Sequence, residues 1–488
     1  MTDDINKLNT GVPGLDALLG GGLPEFSFNI VGGAPGAGKT TFCQQIMFAL
    51  ANSDRRAIFF TALGEPPLKM LRYQRQFKYF DTDKVEESIR FINLGAEVLD
   101  GDFEKVLARI VQEVKDFSPS YVFVDSFRSI INKTVDGNPH ESSVQKFVQH
   151  LAILMTNWQA TTFLIGEYDV AEAHSNPIFT IADCIIWFSQ NFDRNAMVRK
   201  ISVLKLRGQS QITGLHTYHI TDAGVEIFLR GGVHSRQPSL EELARNTGPM
   251  ERLSFGKAPL DQMMGGGLPA GYTMLIVGPS GAGKTILGTE FIIEGIKRGE
   301  PGLMISFEKP PQIFYSQITE GVKAQQVSVM DMHAMDLTID EMLNAICKTI
   351  DGMQIKRVLF DSLSGFEMAL APEFRNNLRD SMYRLTSTLN AKGVTVVMTS
   401  ELEDRYTDLR FSQFGSAFLV DGIVLLRYVE LNAELRRIIN VVKLRGSQHS
   451  KGIYFYDIDD RGFQLGESVA NYEGMLTGRA ISTNSDSD

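Results

Sequence analysis

Two phosphate-binding loops lie in this one chain, and they constrain its fold more than any other feature. The segment GGAPGAGKTT at residues 32–41 recurs as VGPSGAGKTI at residues 277–286. Each copy fits G-x-x-x-x-G-K-[ST], the loop whose backbone N–H groups surround the phosphates of a nucleoside triphosphate. Each also follows an apolar run and precedes a helical pattern, as such a loop requires. The sequence therefore predicts one ATP site in each half.

The residues expected to contact ATP occupy equivalent positions in the two copies. They are Gly33, Gly36, Ala37, Gly38, Lys39, Thr40 and Thr41 in the first copy, and Gly278, Gly281, Ala282, Gly283, Lys284, Thr285 and Ile286 in the second. In each copy the lysine is expected to reach the β- and γ-phosphates, and the threonine after it to place a hydroxyl on Mg²⁺. ATP and Mg²⁺ are thus the predicted cofactors.

The two halves are similar well beyond these loops. GLDALLGGGLP at residues 14–24 parallels PLDQMMGGGLP at 259–269, and KLRG occurs at 205–208 and again at 443–446. A chain of 488 residues suits two domains rather than one core. The expected organisation is an N-terminal domain over 1–233, a linker over 234–252 with a short helix opening at Ser239, a C-terminal domain over 253–466, and a polar, disordered tail over 467–488.

Short apolar runs alternate with helical patterns in each half. AIFFTAL, RFINL, YVFVDSF and ATTFLIG of the first half are typical of strands buried on both faces, which indicates a mostly parallel sheet covered by helices. KISVLKLRG followed by GLHTYHIT, and NVVKLRG followed by GIYFYDI, indicate a terminal hairpin added to each sheet. The predicted fold class is α/β, with two tandem P-loop domains.

Composition excludes several other classes of protein. No run approaches the ~18 apolar residues of a membrane helix, and the N-terminal MTDDINKLNT does not match a signal peptide, so we expect no membrane partner and a cytoplasmic location. Three widely spaced cysteines exclude a disulfide framework and a CxxC zinc site. A net charge of −10 argues against nucleic acid as a partner, because phosphate backbones are held by a surplus of Lys and Arg.

Carboxylates after later strands complete each predicted site. Asp125 and Asp361 end apolar strands at the point where a second Mg²⁺ ligand belongs. Glu65 and Glu308 follow the strand after the P-loop helix, and they are the candidate catalytic residues that orient or deprotonate the attacking water. When the proline pairs of LGEPP and FEKPP are aligned, the two glutamates differ by one position. Unequal hydrolysis in the two sites is therefore expected.

The repeated KLRG tetrapeptide suggests a further role for cations. Lys205 with Arg207, and Lys443 with Arg445, alternate along a strand and so share one face. Such a pair could meet the γ-phosphate bound by a neighbouring subunit, a contact that contributes about 10³- to 10⁵-fold in rate. The alternative is a solvated, charged edge of the sheet.

The two P-loops, the GGGLP turn before each, the DS after each aspartate-ending strand and the two KLRG tetrapeptides together resemble the KaiC family of clock proteins within the RecA-like ATPases. The resemblance spans residues 8–466. It implies two RecA-like domains that form the two tiers of a double-ring homohexamer, with ATP at every subunit boundary. It also implies contacts with the nucleotide of a neighbouring chain, made by Lys205, Leu206, Arg207, Thr221 and Asp222 in one tier and by Lys443, Leu444, Arg445 and Ser447 in the other.

The resemblance further implies a slow ATPase in the N-terminal tier, and an autokinase and autophosphatase acting on a Ser-Thr pair in the C-terminal tier. Counting back from Asp421 without gaps places Ala417 and Phe418 where that pair belongs, and neither has a hydroxyl. Ser412 and Ser416 lie nearby, either as candidate phosphoacceptors or as ordinary loop serines.

The glutamates and the tail also depart from the family pattern. The family carries two adjacent glutamates after the strand that follows the P-loop helix, of which Glu308 retains the first and Glu65 only the second. A KaiB-like protein, or a response-regulator or kinase signalling protein, is an implied partner. The tail after Gly466 does not match the segment through which clock members bind KaiA, so KaiA is not expected.

Three functions follow as alternatives. The leading one is a KaiC-type ATPase ring whose nucleotide state or phosphorylation controls partner binding. The second is a RecA- or DnaB-like DNA recombinase or helicase, which the acidic charge and the lack of an evident basic, aromatic-rich loop disfavour. The third is a nucleotide-gated scaffold with little hydrolysis, which the single glutamates make plausible.

Overall fold

The computed structural model describes residues 6–62, 67–99, 103–128, 130, 141–169, 172, 176, 178–193, 196–230, 251–307, 312–332, 338–370, 374, 378–402, 418–431, 433–469, 472–473 and 481–482. The chain divides into two compact units, Met1–Arg230 and Gly231–Asp488. Among the described residues, none of the helices combines the length and the apolar character needed to cross a bilayer.

The described part of the first unit is built on one large sheet. Its strands are β3 (Phe28–Gly33), β4 (Ala57–Thr61), β5 (Ile89–Asn93), β6 (Tyr121–Asp125), β7 (Thr161–Ile165), β8 (Cys184–Asp193), β9 (Ala196–Leu206), β10 (His216–Thr221) and β11 (Gly224–Phe228), preceded by a small ladder of β1 (Lys7–Leu8) with β2 (Leu23–Pro24). Their spatial order is β11-β10-β9-β8-β3-β7-β6-β4-β5. The strands from β8 to β5 run parallel, and β9, β10 and β11 add antiparallel pairs. The predicted mostly parallel sheet with a terminal hairpin is confirmed.

Helices cover both faces of this sheet. They are α1 (Leu15–Leu18), α2 (Lys39–Leu50), α3 (Pro67–Gln74), α4 (Lys84–Glu87), α5 (Gly95–Leu99), α6 (Phe103–Phe117), α7 (Glu141–Asn157) and α8 (Ile178–Ile181). One core cluster joins α6 and α7 to the strand residues Ile58 and Phe60, and the other joins α2 to Phe59 and Ile165. Successive strand residues thus enter opposite clusters, which explains why these strands are apolar throughout.

The second unit repeats this plan. Its strands are β12 (Arg252–Leu253), β13 (Leu268–Pro269), β14 (Thr273–Gly278), β15 (Gly302–Ser306), β16 (Val327–Asp331), β17 (Arg357–Asp361), β18 (Thr395–Glu401), β19 (Gly422–Leu431), β20 (Glu434–Leu444), β21 (Ile453–Asp459) and β22 (Gly462–Ser468). Its helices are α9 (Ala258–Met263), α10 (Lys284–Arg298), α11 (Tyr315–Lys323), α12 (Ile339–Met353), α13 (Leu363–Ala369) and α14 (Leu378–Ala391), with a 3₁₀ turn over Gln312–Phe314. The sheet order β16-β15-β17-β18-β14-β19-β20-β21-β22 matches that of the first unit strand for strand.

The ends of the predicted domains differ in part from the structure. The linker helix expected at Ser239 lies outside the described residues. The tail expected to be disordered from residue 467 begins inside β22, and a short ladder joins β23 (Tyr472–Glu473) to β24 (Ile481–Ser482). The composition of the tail did not predict these strand pairings, because pairing depends on a neighbouring strand and not on the polarity of the segment.

Each P-loop lies at the same place in its sheet. The first follows β3, which is flanked by the parallel strands β7 and β8, and the second follows β14, flanked by β18 and β19. Each loop therefore sits at the edge where the parallel strands end, here called the carboxyl edge; the edge where these strands begin is called the amino edge. Ligands of open parallel sheets bind at the carboxyl edge.

Candidate nucleotide site in each unit

Lys39 lies inside the first P-loop. Its side chain is buried, and Nζ donates to the carbonyl oxygens of Gly33 at 3.0 Å and Ala34 at 2.7 Å. Burial lowers the pKa of Lys39, while the carboxylates of Glu167 and Asp125 act in the opposite direction. In the second loop Nζ of Lys284 donates to the carbonyl of Pro279 at 2.8 Å. Both lysine side chains thus lie within their own loops and contact the loop backbone.

The glycine before each lysine is required by the backbone and by packing. Gly38 and Gly283 have φ values of 88° and 90°, a region that favours glycine. A Cβ atom on Gly38 would lie 2.4 Å from Cδ1 of Ile220, and one on Gly283 would lie 2.3 Å from Cδ1 of Ile458. The terminal hairpin of each unit therefore packs directly against its P-loop.

A buried tyrosine of the same hairpin also holds each loop. Tyr218 Oη donates to the carbonyl of Ala37, and Tyr456 Oη to the carbonyl of Ala282, both at 2.6 Å. Burial raises the pKa of each phenol, which keeps the hydrogen-bond donor in place. Sequence reasoning missed both residues, although each tyrosine follows its KLRG lysine at the same spacing.

The two predicted Mg²⁺ ligands of the first unit lie in contact. Thr40 Oγ1 donates to Oδ2 of Asp125 at 2.6 Å. Burial raises the pKa of Asp125 to about 6, against the opposing effects of the Thr40 hydrogen bond and the Lys39 charge. A desolvated carboxylate beside a threonine hydroxyl is a donor set that fits a hard divalent cation.

The second unit arranges its aspartate differently. Asp361 is buried at the end of β17 and accepts a hydrogen bond from Thr399 Oγ1. In the first unit Ile165 stands opposite Asp125 in the parallel ladder, at the position equivalent to Thr399. Thr285, the other predicted ligand of the second site, is the second residue of α10, directly after Lys284. The two units thus differ in the immediate surroundings of the aspartate predicted to bind Mg²⁺.

The KLRG residues of the first unit lie at the amino edge. Leu206 pairs with Cys184, the first residue of β8, which runs parallel to the P-loop strand β3. Lys205 Nζ donates to the carbonyl of Thr180 at 2.9 Å, and Arg207 contacts Oδ1 of Asp183 at 3.2 Å. These cations therefore lie together at the amino edge, at the opposite end of the strands from their own P-loop.

The second unit shows the same separation. Leu444 pairs with Gly422, the first residue of β19. Lys443 Nζ donates to the carbonyl of Val420 at 2.6 Å, and Arg445 donates to the carbonyl of Phe418 at 2.9 Å. Ser447 accepts a hydrogen bond from Arg252 of the same unit.

Thr221 and Asp222 do not lie with Lys205 and Arg207. Thr221 ends β10 and pairs with Gly224 of β11, in the hairpin whose Ile220 packs against Gly38. The resemblance grouped these residues as contacts to one neighbouring nucleotide. Their position at the carboxyl edge instead places Thr221 and Asp222 beside the P-loop of their own chain.

Comparison with known families agrees with this geometry. A family model described as the KaiC ATPase matches residues 8–231 and again residues 255–469. The chain belongs to the KaiC ATPase family. It is 26% identical to a circadian clock oscillator protein KaiC of Picosynechococcus over 97% of this chain and 92% of the relative. It is 27% identical to circadian clock protein KaiC3 of Synechocystis over 99% of this chain and 96% of the relative.

Several predicted residues of this KaiC-family chain lie outside the described part of the structure. They are Glu65, Glu308, Ser412, Ser416 and Ala417. Phe418 is described: its ring lies under the Arg379 guanidinium, with 4.8 Å between Cζ and the ring centroid. Phe418, which occupies one of the two positions expected for the Ser-Thr pair, thus makes a cation–π contact with Arg379.

Proposed function

We propose that this KaiC-family protein is a Mg²⁺-dependent ATPase that works as a double-ring homohexamer, with each ATP shared by two neighbouring chains. The observation that carries the proposal is the position of the P-loop and the KLRG cations at opposite edges of the same sheet. A strand of six residues such as β3 spans about 20 Å, beyond the reach of one side chain. The cations therefore serve a nucleotide held by another copy of the chain.

An interface that joins the carboxyl edge of one copy to the amino edge of the next uses two different surfaces. Such a heterologous interface produces a closed ring when its rotation closes. The closure at six chains and the two tiers are carried over from the family resemblance. Both units carry the same two edges, which supports one ATP boundary per unit.

The residues of each site have separate roles in the proposed hydrolysis. Thr40 with Asp125, and Thr285 with Asp361, would hold Mg²⁺, which would offset the negative charge of the phosphates when bound. The water oxygen forms a bond to the γ-phosphorus. The bond between the γ-phosphorus and the β,γ-bridging oxygen breaks, and ADP leaves with that electron pair. The water proton passes to Glu65 in the first site and to Glu308 in the second.

The output proposed for this ATPase is regulatory. The relatives' names, which describe circadian clock proteins, support a ring whose nucleotide state is detected by a partner such as a KaiB-like, response-regulator or kinase protein. Autokinase and autophosphatase activity of the second unit, with Ser412 or Ser416 as acceptor, and a cytoplasmic location belong to the same proposal.

Phosphate release and native mass test the proposal together. The wild type is expected to form hexamers with Mg·ATP and to release phosphate, and a Lys39→Ala, Lys284→Ala variant to lose at least about 10²-fold of that rate. Equal rates would reject the ATPase. ATP-dependent hexamers with negligible turnover would favour a scaffold, and hydrolysis stimulated by single-stranded DNA would favour a motor.

A further inference from the structure

Each unit carries a glutamate at the carboxyl edge, at or just after the end of the equivalent strand. Glu167 comes two residues after the end of β7, and Glu401 is the last residue of β18. Beside them, the backbone N–H of Tyr168 donates to the carbonyl of Gly33 at 3.3 Å, and that of Leu402 to the carbonyl of Gly278 at 3.1 Å. Each glutamate therefore lies next to the first glycine of the P-loop in its own unit.

Strand alternation places both side chains on the face that carries the P-loop helix. Ile165 packs in the core cluster of α2, whereas Tyr168 packs in the cluster of α6 and α7. Because alternate residues of an extended chain share a face, Glu167 lies on the same side as Ile165. Glu401 likewise follows Thr399 by two residues within β18, and Thr399 contacts Asp361.

Glu167 is exposed, yet its charge is felt inside the site. Its carboxylate is among the charges that act on both Lys39 and Asp125, and it raises the pKa of each group. Glu401 is also exposed and pairs with Gly278 in the parallel ladder. An exposed carboxylate beside the P-loop can accept a hydrogen bond from a water molecule at the γ-phosphate.

An arginine side chain contacts the backbone of Glu167. Arg128 donates to the carbonyl of Glu167 at 2.8 Å and pairs with Glu172 at 2.7 Å. Its guanidinium also lies over the Tyr168 ring, with Cζ 5.1 Å from the centroid. The residue equivalent to Arg128, counted from the metal-binding aspartate, is Ser364. The first unit therefore holds the backbone at Glu167 with an arginine side chain, and the second unit has a serine at the equivalent position.

We infer that Glu167 in the first site, and Glu401 in the second, are catalytic residues that accept a hydrogen bond from the attacking water and orient it toward the γ-phosphate. The inference rests on the proposed ATPase function and adds one carboxylate to each site. Glu65 and Glu308 keep the role of proton acceptor. The bond made and the bond broken are those of the hydrolysis given above.

A Lys284→Ala background isolates the first site. In it, Glu167→Gln is expected to lower kcat for phosphate release by about 10²-fold, while the dissociation constant of a fluorescent ATP analogue stays within about threefold of the parent, a limit of under 1 kcal/mol. Asp169→Asn removes the same charge two residues later and is the matched control, with kcat unchanged. Glu401→Gln in a Lys39→Ala background is expected to repeat the result for the second site.

The outcomes separate a catalytic from a structural role. An unchanged kcat in Glu167→Gln would overturn the inference, and so would a parallel loss of ATP binding, because a structural defect lowers both. A Lys284→Ala parent that releases no phosphate would instead reject hydrolysis at the first site, and the inference with it.

Discussion

Thr399 donates a hydrogen bond from Oγ1 to Oδ1 of Asp361, whereas Asp125 accepts its bond from Thr40 and faces Ile165 across the ladder. The two units thus share a fold and a P-loop, but different donors hold the carboxylates that are predicted to bind Mg²⁺. Thr399 fixes Asp361 from the neighbouring strand, independently of the predicted metal ligand Thr285.

Removing the hydrogen bond between Thr399 and Asp361 should lower the Mg²⁺ affinity of the second site alone. Outer-shell partners of metal ligands typically contribute 10- to 100-fold in affinity. In a Lys39→Ala background, Thr399→Val is expected to raise the Mg²⁺ concentration for half-maximal ATP binding by about tenfold. The reciprocal Ile165→Thr in a Lys284→Ala background should lower that concentration. Equal Mg²⁺ requirements in all four proteins would contradict the proposed role of Thr399.

The nucleotide-free protein should lose stability as Asp125 ionises. Folding raises the pKa of this carboxyl from 3.8 to about 6, so the folded state binds the proton more tightly than the unfolded state. The cost of ionisation is therefore absent below about pH 4 and fully present above about pH 6. Asp125→Asn is expected to stabilise the protein at pH 7 by about 1–3 kcal/mol and to flatten the fall in stability between pH 4 and 6. Urea unfolding across this range measures the effect, and an unaltered pH profile would count against it.

The buried tyrosines should support nucleotide binding through the loop backbone. Tyr218→Phe or Tyr456→Phe leaves the carbonyl of Ala37 or Ala282 without this donor, at a cost of about 1–3 kcal/mol for a buried acceptor. We expect a lower melting temperature and severalfold weaker ATP binding at the affected site. The control is Tyr454→Phe, because the Tyr454 hydroxyl contacts Ser450 at 3.2 Å. This variant should leave ATP affinity unchanged.

Phosphorylation, if it occurs, should use neither of the positions at which the family carries hydroxyls. Ala417 and Phe418 have no acceptor oxygen. After incubation with Mg·ATP, any phosphate found by intact mass under denaturing conditions is expected to disappear in a Ser412→Ala, Ser416→Ala variant. Phosphate that persists in this variant would move the acceptor elsewhere in the chain.

The sequence predicted the architecture because its signals are local. Apolar runs such as AIFFTAL and the P-loop pattern identify a buried parallel strand or a phosphate loop from a few adjacent residues. Two such local motifs, the P-loop and an apolar strand that ends in aspartate, also predicted that Thr40 and Asp125 belong to one site, and the structure brings them into contact.

What the sequence could not predict depends on packing between distant segments. Tyr218 reaches Ala37 across 181 positions of chain, and the difference between Ile165 and Thr399 has meaning only once each faces its aspartate. Thr221 and Lys205 are close in sequence, yet β9 and β10 carry them to opposite edges of the sheet. Strand direction decides such cases, and it is not readable from a tetrapeptide.

Subunit mixing tests the central claim that ATP is hydrolysed between two chains. One chain carries Lys39→Ala and the other Arg207→Ala, both in a Lys284→Ala background, and each alone should release little phosphate. Reassembled in equal amounts, they should regain about one quarter of the Lys284→Ala rate, because about one boundary in four then joins an intact P-loop to an intact arginine. A mixture that stays at the mean of the two separate rates would contradict catalysis across a subunit boundary.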